Sequence, residues 1–131
     1  MSEWLALYVD IPGVIPDCLS PNDRCERHAK SEAVRMAREV ARLSALEGIS
    51  RKSWVAPLPA SGEIAMRWTV FLGKGEKQRD LDNQIARLKA YTDGIFDGLG
   101  ANDRRVVEVS VRQLRADGDP FVQCAVIALT S

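Results

Sequence analysis

Glu63-Ile64-Ala65-Met66-Arg67-Trp68-Thr69-Val70-Phe71-Leu72 is an almost unbroken apolar run bounded by Gly62 and Gly73. Its length and its β-branched and aromatic content predict a strand buried for most of its course rather than a helix. Working back from it, residues 50–62 carry Pro57 and Pro59 among small and polar residues, which predicts a loop. Before that loop the spacing of Ala33, Met36, Ala37, Val40 and Leu43 predicts a helix from about Ala29 to Glu47, with Gly48 as its stop. Ser20-Pro21-Asn22-Asp23-Arg24 reads as a turn or an extended entry to that helix. Trp4 to Asp10 reads as a buried first strand ended by Pro12-Gly13 and Pro16.

Working forward, Gly73-Lys74-Gly75-Glu76-Lys77-Gln78 is a flexible basic segment that lacks the G-K-[ST] ending of a phosphate-binding P-loop. A second helix is expected from Asp82 to Leu99, stopped by Gly100, with Ile85, Leu88, Thr92, Ile95 and Leu99 as its packing stripe. Gly94 and Gly98 lie inside it. Each costs about 1 kcal/mol relative to Ala, so either another element packs closely there or the helix frays. Val107, Val109 and Val111 alternate with Glu108, Ser110 and Arg112 in a half-buried strand, Val106 to Leu114. Asp117-Gly118-Asp119-Pro120 suggests a hairpin turn into a last strand, Phe121 to Leu129. The order β-α-β-α-β-β implies an α+β fold: one domain over residues 1–131, a four-stranded mixed sheet with two helices packed on one face.

The composition of the 131 residues is that of an ordinary globular chain, 46% hydrophobic and 27% charged. No apolar run approaches the roughly 18–20 residues of a membrane span, and Met1-Ser2-Glu3-Trp4 does not open like a signal peptide, so a cytoplasmic protein is expected. Cys18, Cys25 and Cys124 are odd in number and form no C-x-x-C pair. With only His28 to help them they make no zinc site, and reduced thiols with a buried Cys124 are expected. The formal net charge is zero. Any attraction to nucleic acid must then come from local groups: Arg24, Arg27, His28 and Lys30; Arg35, Arg38 and Arg42; Lys74, Lys77 and Arg79; or Arg104 and Arg105. Arg35, Arg38 and Arg42 form a row on the first helix that reads as a solvated face.

The chemistry lies in three aspartates. Asp80 and Asp82, in Arg79-Asp80-Leu81-Asp82-Asn83, stand two apart, and Asp103 follows one helix later, so a helix that folds back brings it near them. Carboxylates held close repel unless a hard cation such as Mg²⁺ or Mn²⁺ lies between them, a grouping suited to metal-assisted phosphodiester hydrolysis. A solvated turn with a helix N-cap has the same pattern. On a helical wheel Asp82, Lys89 and Asp93 share one file, while Arg87 points roughly 140° away. Lys89 could meet a scissile phosphate, or simply pair with Asp93 one turn on.

D-L-D-N opening a helix, a lysine within that helix, and a short loop with an aspartate before a Val-rich strand resemble the RusA-type Holliday junction resolvases of bacteria and their phages. The resemblance runs from Arg79 to Val107, with a second patch from Ser20 to Arg24 followed by Arg27-His28. It implies a homodimeric, Mg²⁺-dependent endodeoxyribonuclease that cuts four-way DNA junctions in recombination and repair, with Asp80, Asp82 and Asp103 as catalytic metal ligands. Two features depart from the family pattern. Asn102 stands where the family often has a second loop acid, and the family lysine position is Ala86, with Lys89 further along the same face. Lys89 would then supply the positive charge at the reacting phosphate, and Arg24, Arg27, His28, Lys74, Lys77, Arg79 and Arg104 would contact DNA. Two rival readings of the same residues are a non-catalytic branched-DNA binding module and a Mg²⁺-dependent hydrolase of small phosphate esters.

Overall fold

The structure, a computed structural model, describes residues 2–21, 23–51 and 58–130; Asn22 of the first turn and Pro57 of the long loop lie outside the described residues. In chain order the elements are β1 (Ser2–Pro12), a 3₁₀ turn (Asp17–Leu19), α1 (Arg27–Ser50), β2 (Glu63–Leu72), α2 (Leu81–Arg87), α3 (Lys89–Leu99), a second 3₁₀ turn (Asp103–Arg105), β3 (Val106–Arg115) and β4 (Phe121–Thr130). The strands form one mixed sheet ordered β1-β4-β2-β3. β4 is antiparallel to both β1 and β2, and β3 runs parallel to β2 at the edge. The domain is a small α+β unit, as the element order implies.

Alternation sets the layers. Ile64, Met66, Trp68, Val70 and Leu72 of β2 are buried in one core with Leu7, Val9 and Ile11 of β1 and Val122, Cys124 and Val126 of β4. Ala37, Ala41 and Ala45 of α1 and Ala90, Tyr91, Ile95 and Phe96 of α3 close that core from the helix side. On the opposite face Arg67 bridges Glu3 and Glu108, and Arg112 donates to Thr69 Oγ1 (2.9 Å).

Several expectations are corrected. The turn at Asp117–Pro120 does not close a hairpin, because β2 lies between β3 and β4; both strands alternate equally well with either neighbour, so the pattern could not choose the partner. α1 runs through Gly48 to Ser50, with Arg51 N donating to Glu47 O (2.9 Å). Met36 is 59% exposed and Leu43 51%; the buried face is Ala37, Ala41, Ser44 and Ala45 instead. The reason lies in α3. A Cβ on Gly94 would sit 2.1 Å from Arg38 O, and one on Gly98 would sit 2.9 Å from both Arg42 O and Ala45 Cβ. Helices this close leave room only for small residues, which is the close packing the two glycines suggested.

The second helix is broken at Leu88, whose N–H is shared between Gln84 O (3.1 Å) and Ile85 O (3.2 Å) before α3 resumes. Ile85 is 41% exposed, and Gln84 and Arg87 are buried in its place. Gly100 ends α3 in the left-handed conformation (φ 66°), as expected of a stop. The segment 73–78 is tied down rather than loose: Glu76 N–H bonds Gly73 O (3.0 Å), and the Arg115 guanidinium holds Gly73 O. Cys18 and Cys25 form a disulfide, not a pair of free thiols, because the 3₁₀ turn at Asp17–Leu19 brings their Cα atoms to 5.6 Å. Cys124 is free and buried as expected, and burial pushes its thiol well above the ordinary range. Among the described residues no helix is long and apolar enough to cross a membrane.

Candidate functional site

Asp80 occupies the N-cap position of α2, yet its carboxylate makes no cap hydrogen bond; Gln84 N–H is taken by the Asp80 backbone oxygen (3.0 Å). Asp82 follows in the first turn. Both carboxylates are exposed, and neither has a hydrogen-bond or ion-pair partner among the described residues. With Pro21, Leu81 and Asn83 they line one open cleft. The adjoining loop is fastened to α2, for Asn83 Nδ2 donates to Ser20 Oγ (3.1 Å) and Arg79 pairs with Asp17 (2.5 Å).

Asp103 belongs to a second cleft, with Asp93, Asp97, Asn102 and Arg38. Lys89 Nζ bonds Asp93 (2.7 Å) and reaches Asp103 (3.4 Å), and it makes no ion pair with Asp80 or Asp82. The break at Leu88 interrupts the regular wheel that put Asp82, Lys89 and Asp93 in one file; the structure shows the Lys89–Asp93 step and an approach to Asp103. The Asp93 bond first, and the Asp103 contact after it, raise the Lys89 pKa, so its ammonium stays charged at neutral pH. Asp80, Asp82 and Asp103 do not converge on one point. Among the described residues the donor atoms that all fall within 4.8 Å of one another are those of Cys18, Asp23 and Cys25. Both sulfurs there are spent on the disulfide, so that group offers no thiolate to a metal. The Asn102 side-chain oxygen is also taken, as it caps the 3₁₀ turn by accepting from Arg104 N (2.9 Å).

The basic residues separate cleanly. Arg35 and Arg42 pair with Glu32 and Glu39 one turn earlier, and Arg38 makes a bidentate pair with Asp97 across to α3. Arg105 is held by Gly62 O and Pro59 O, both at 2.8 Å. Arg24, Arg27, Lys74, Lys77 and Arg104 are exposed, and their side-chain charges have no carboxylate partner among the described residues; His28 is exposed beside Arg27. Arg79 differs from this set because Asp17 holds it.

Sequence reasoning missed a buried polar group behind Asp80. Gln113 Oε1 accepts from Arg79 N (3.0 Å) and Gln84 Nε2 (2.9 Å), while Gln113 Nε2 donates to Arg79 O (2.7 Å). Gln84 Oε1 in turn accepts from Arg87 (2.9 Å), whose other nitrogen donates to Ile15 O (2.5 Å). Arg87 is only 1% exposed, and burial lowers its pKa. The signal was present in β3: Gln113 takes the place of the next valine in the series Val109, Val111.

No known family profile matches this chain. A protein of Xylella fastidiosa (strain Temecula1), described as an uncharacterized protein, is 40% identical to it over 90 residues. The match covers 68% of this chain and 56% of that relative, so the chain spans just over half the relative's length.

Proposed function

We propose that this chain is a Mg²⁺-dependent, structure-selective endonuclease of branched DNA, of the RusA-type resolvase kind, working as a homodimer in the cytoplasm. The reading is carried by one observation: Asp80 and Asp82 are exposed at the start of a helix with no partner among the described residues, while the neighbouring acids are paired. Two unpaired carboxylates so close in the chain leave their charge open to a cation from outside the protein. The donors fit a hard ion, since carboxylate oxygens on an open surface let Mg²⁺ keep most of its waters, and Mn²⁺ would fit the same set. Asp80 and Asp82 would hold it, while Asp103 stays with Lys89 in the second cleft, outside that donor set. Bound there, the ion would supply charge neutralisation at the phosphodiester and an acidified water.

The protein's own groups do the rest. A site carboxylate accepts the proton of the attacking water, as no histidine is paired with these acids. Lys89 directs its ammonium at an anionic oxygen of the phosphodiester. Arg24, Arg27, His28, Lys74, Lys77 and Arg104 bind backbone phosphates, and Arg79 joins them by leaving Asp17. The unpaired cations give local attraction that the zero net charge does not. A four-way junction has two-fold symmetry and is cut twice, which a dimer with two sites matches. A small-ester hydrolase would want an enclosed pocket, whereas the cleft at Asp80–Asn83 is open.

The test offers labelled four-way junction, duplex and a mononucleotide to the protein in Mg²⁺ or EDTA. Junction cleavage that needs Mg²⁺ is expected. Binding of the junction without cleavage would make the chain a binding module, and preferential hydrolysis of the mononucleotide would make it a small-substrate hydrolase.

A further inference from the structure

Asp80 has no side-chain bond to hold it in place, so whatever orients its carboxylate must act through the backbone. On the N-terminal side, Arg79 is gripped at both its N–H and its C=O by the one amide of Gln113. On the C-terminal side, the Asp80 carbonyl receives Gln84 N–H. The two glutamines are themselves bonded, Gln84 Nε2 to Gln113 Oε1 at 2.9 Å, so the residues flanking Asp80 are tied into one bracket. Arg87 extends the bracket from Gln84 to Ile15 O, at the entrance to the loop that carries the disulfide and packs Ser20 on Asn83.

We propose that Gln113, acting with Gln84 and Arg87, is a positioning residue that fixes the Asp80–Asp82 turn for metal binding. This rests on the metal-dependent reading above. Gln113 sits on a parallel edge strand, where an apolar residue would continue the valine series. A polar side chain there, with every donor and acceptor bond going to Arg79 or Gln84, serves the turn. Arg87 Nε has no partner among the described residues, so the bracket carries an unsatisfied buried group. Polar networks of this kind cost stability relative to an apolar core and confer a defined geometry in return.

Gln113→Met keeps the length and packing of the side chain and removes its three bonds. The experiment titrates wild type, Gln113→Met and Val126→Ala with Mn²⁺, following free Mn²⁺ by electron paramagnetic resonance without DNA. It also measures junction cleavage against Mg²⁺ and against junction concentration. Val126→Ala truncates the core away from the bracket and controls for lost stability. Gln113→Met should raise the half-saturating metal at least about fivefold and lower kcat, with KM for the junction within about twofold of wild type. Val126→Ala should lower Tm and leave the metal midpoint unchanged. A wild-type midpoint and kcat in Gln113→Met would overturn the positioning role while leaving the metal reading intact, as would an equal shift in Val126→Ala. A wild type that neither takes up Mn²⁺ nor cleaves in Mg²⁺ would overturn both.

Discussion

The acids at the two ends of the α2–α3 helical segment live under different electrostatic terms. Asp93 and Asp103 share Lys89, and Asp97 is clamped by Arg38 from the neighbouring helix. Asp80 and Asp82, at the beginning of the same segment, have no partner among the described residues. The Arg38 hydrogen bond holds the Asp97 carboxyl below its ordinary range, the mark of a charge already compensated inside the protein. An acid neutralised at home has little to offer a metal; an acid left bare at a helix start does. The charge pairing thus divides residues that the amino-acid letters make equivalent.

The sharpest way to break this contrast is to neutralise one acid at a time. Asp80→Asn or Asp82→Asn should reduce Mg²⁺-dependent cleavage by about 100-fold or more, the scale of losing one fixed charge at the reacting centre. Junction binding should survive or tighten, since a repelling charge is gone. Asp97→Asn should leave turnover near wild type. Equal losses from Asp80→Asn and Asp97→Asn in single-turnover cleavage would erase the distinction.

Next in size is the seam that holds the paired acids. Gly94→Ala places a methyl 2.1 Å from Arg38 O, so α3 must move away from α1. A loss of about 2–3 kcal/mol is expected, read as a Tm drop of roughly 6–12 °C by calorimetry. An unchanged Tm would mean that the helices are not in contact there.

Lys89 belongs to the paired region, and its removal should have an intermediate effect. Lys89→Ala should slow cleavage about tenfold or more while changing stability by less than about 0.5 kcal/mol, because the side chain is 67% exposed. Arg87→Ala should lower stability and also raise the half-saturating metal, since Arg87 is buried and extends the Gln113–Gln84 bracket. A Lys89→Ala variant with wild-type turnover would confine the lysine to a helix-surface ion pair.

The smallest effect belongs to Arg38→Ala, a slight destabilisation at neutral pH from loss of an exposed, solvent-screened pair. Because the folded Asp97 pKa is depressed, the pair's contribution is present above the unfolded value of about 3.8–3.9 and disappears as pH falls through the folded value. Thermal melts of wild type and Arg38→Ala should therefore differ at pH 7 and converge in acid. A difference that persists in acid strong enough to protonate the folded Asp97 carboxyl would assign the effect to packing rather than charge.

Local pattern carried some parts of the molecule and failed at others for definable reasons. β2 has the bounds its apolar run predicts, and Gly100 stops α3 where a left-handed residue is needed. α1 was legible as a helix, but its buried face was not. Hydrophobicity favours Met36 and Leu43 over Ala37, Ala41 and Ala45, whereas the interhelical distance imposed by Gly94 and Gly98 admits only the small ones. In α2 the apolar Ile85 lies outside and Arg87 inside, because Gln84 and Ile15 O supply partners that no residue count reveals. The cysteines were misread in the same way, by spacing without the turn that joins Cys18 to Cys25.

By itself the sequence determined what each segment is: the strands by their apolar and β-branched runs, the helices by period, and the Lys89–Asp93 step by the 3.6-residue turn. These are properties of a backbone and its nearest neighbours along the chain. The tertiary structure alone decided that β4 enters between β1 and β2, that Gln113 meets Arg79, and that Lys89 reaches Asp103 while Asp80 and Asp82 stay bare. Strand partners and charge partners depend on through-space distance and on the water removed between groups, and packing sets both.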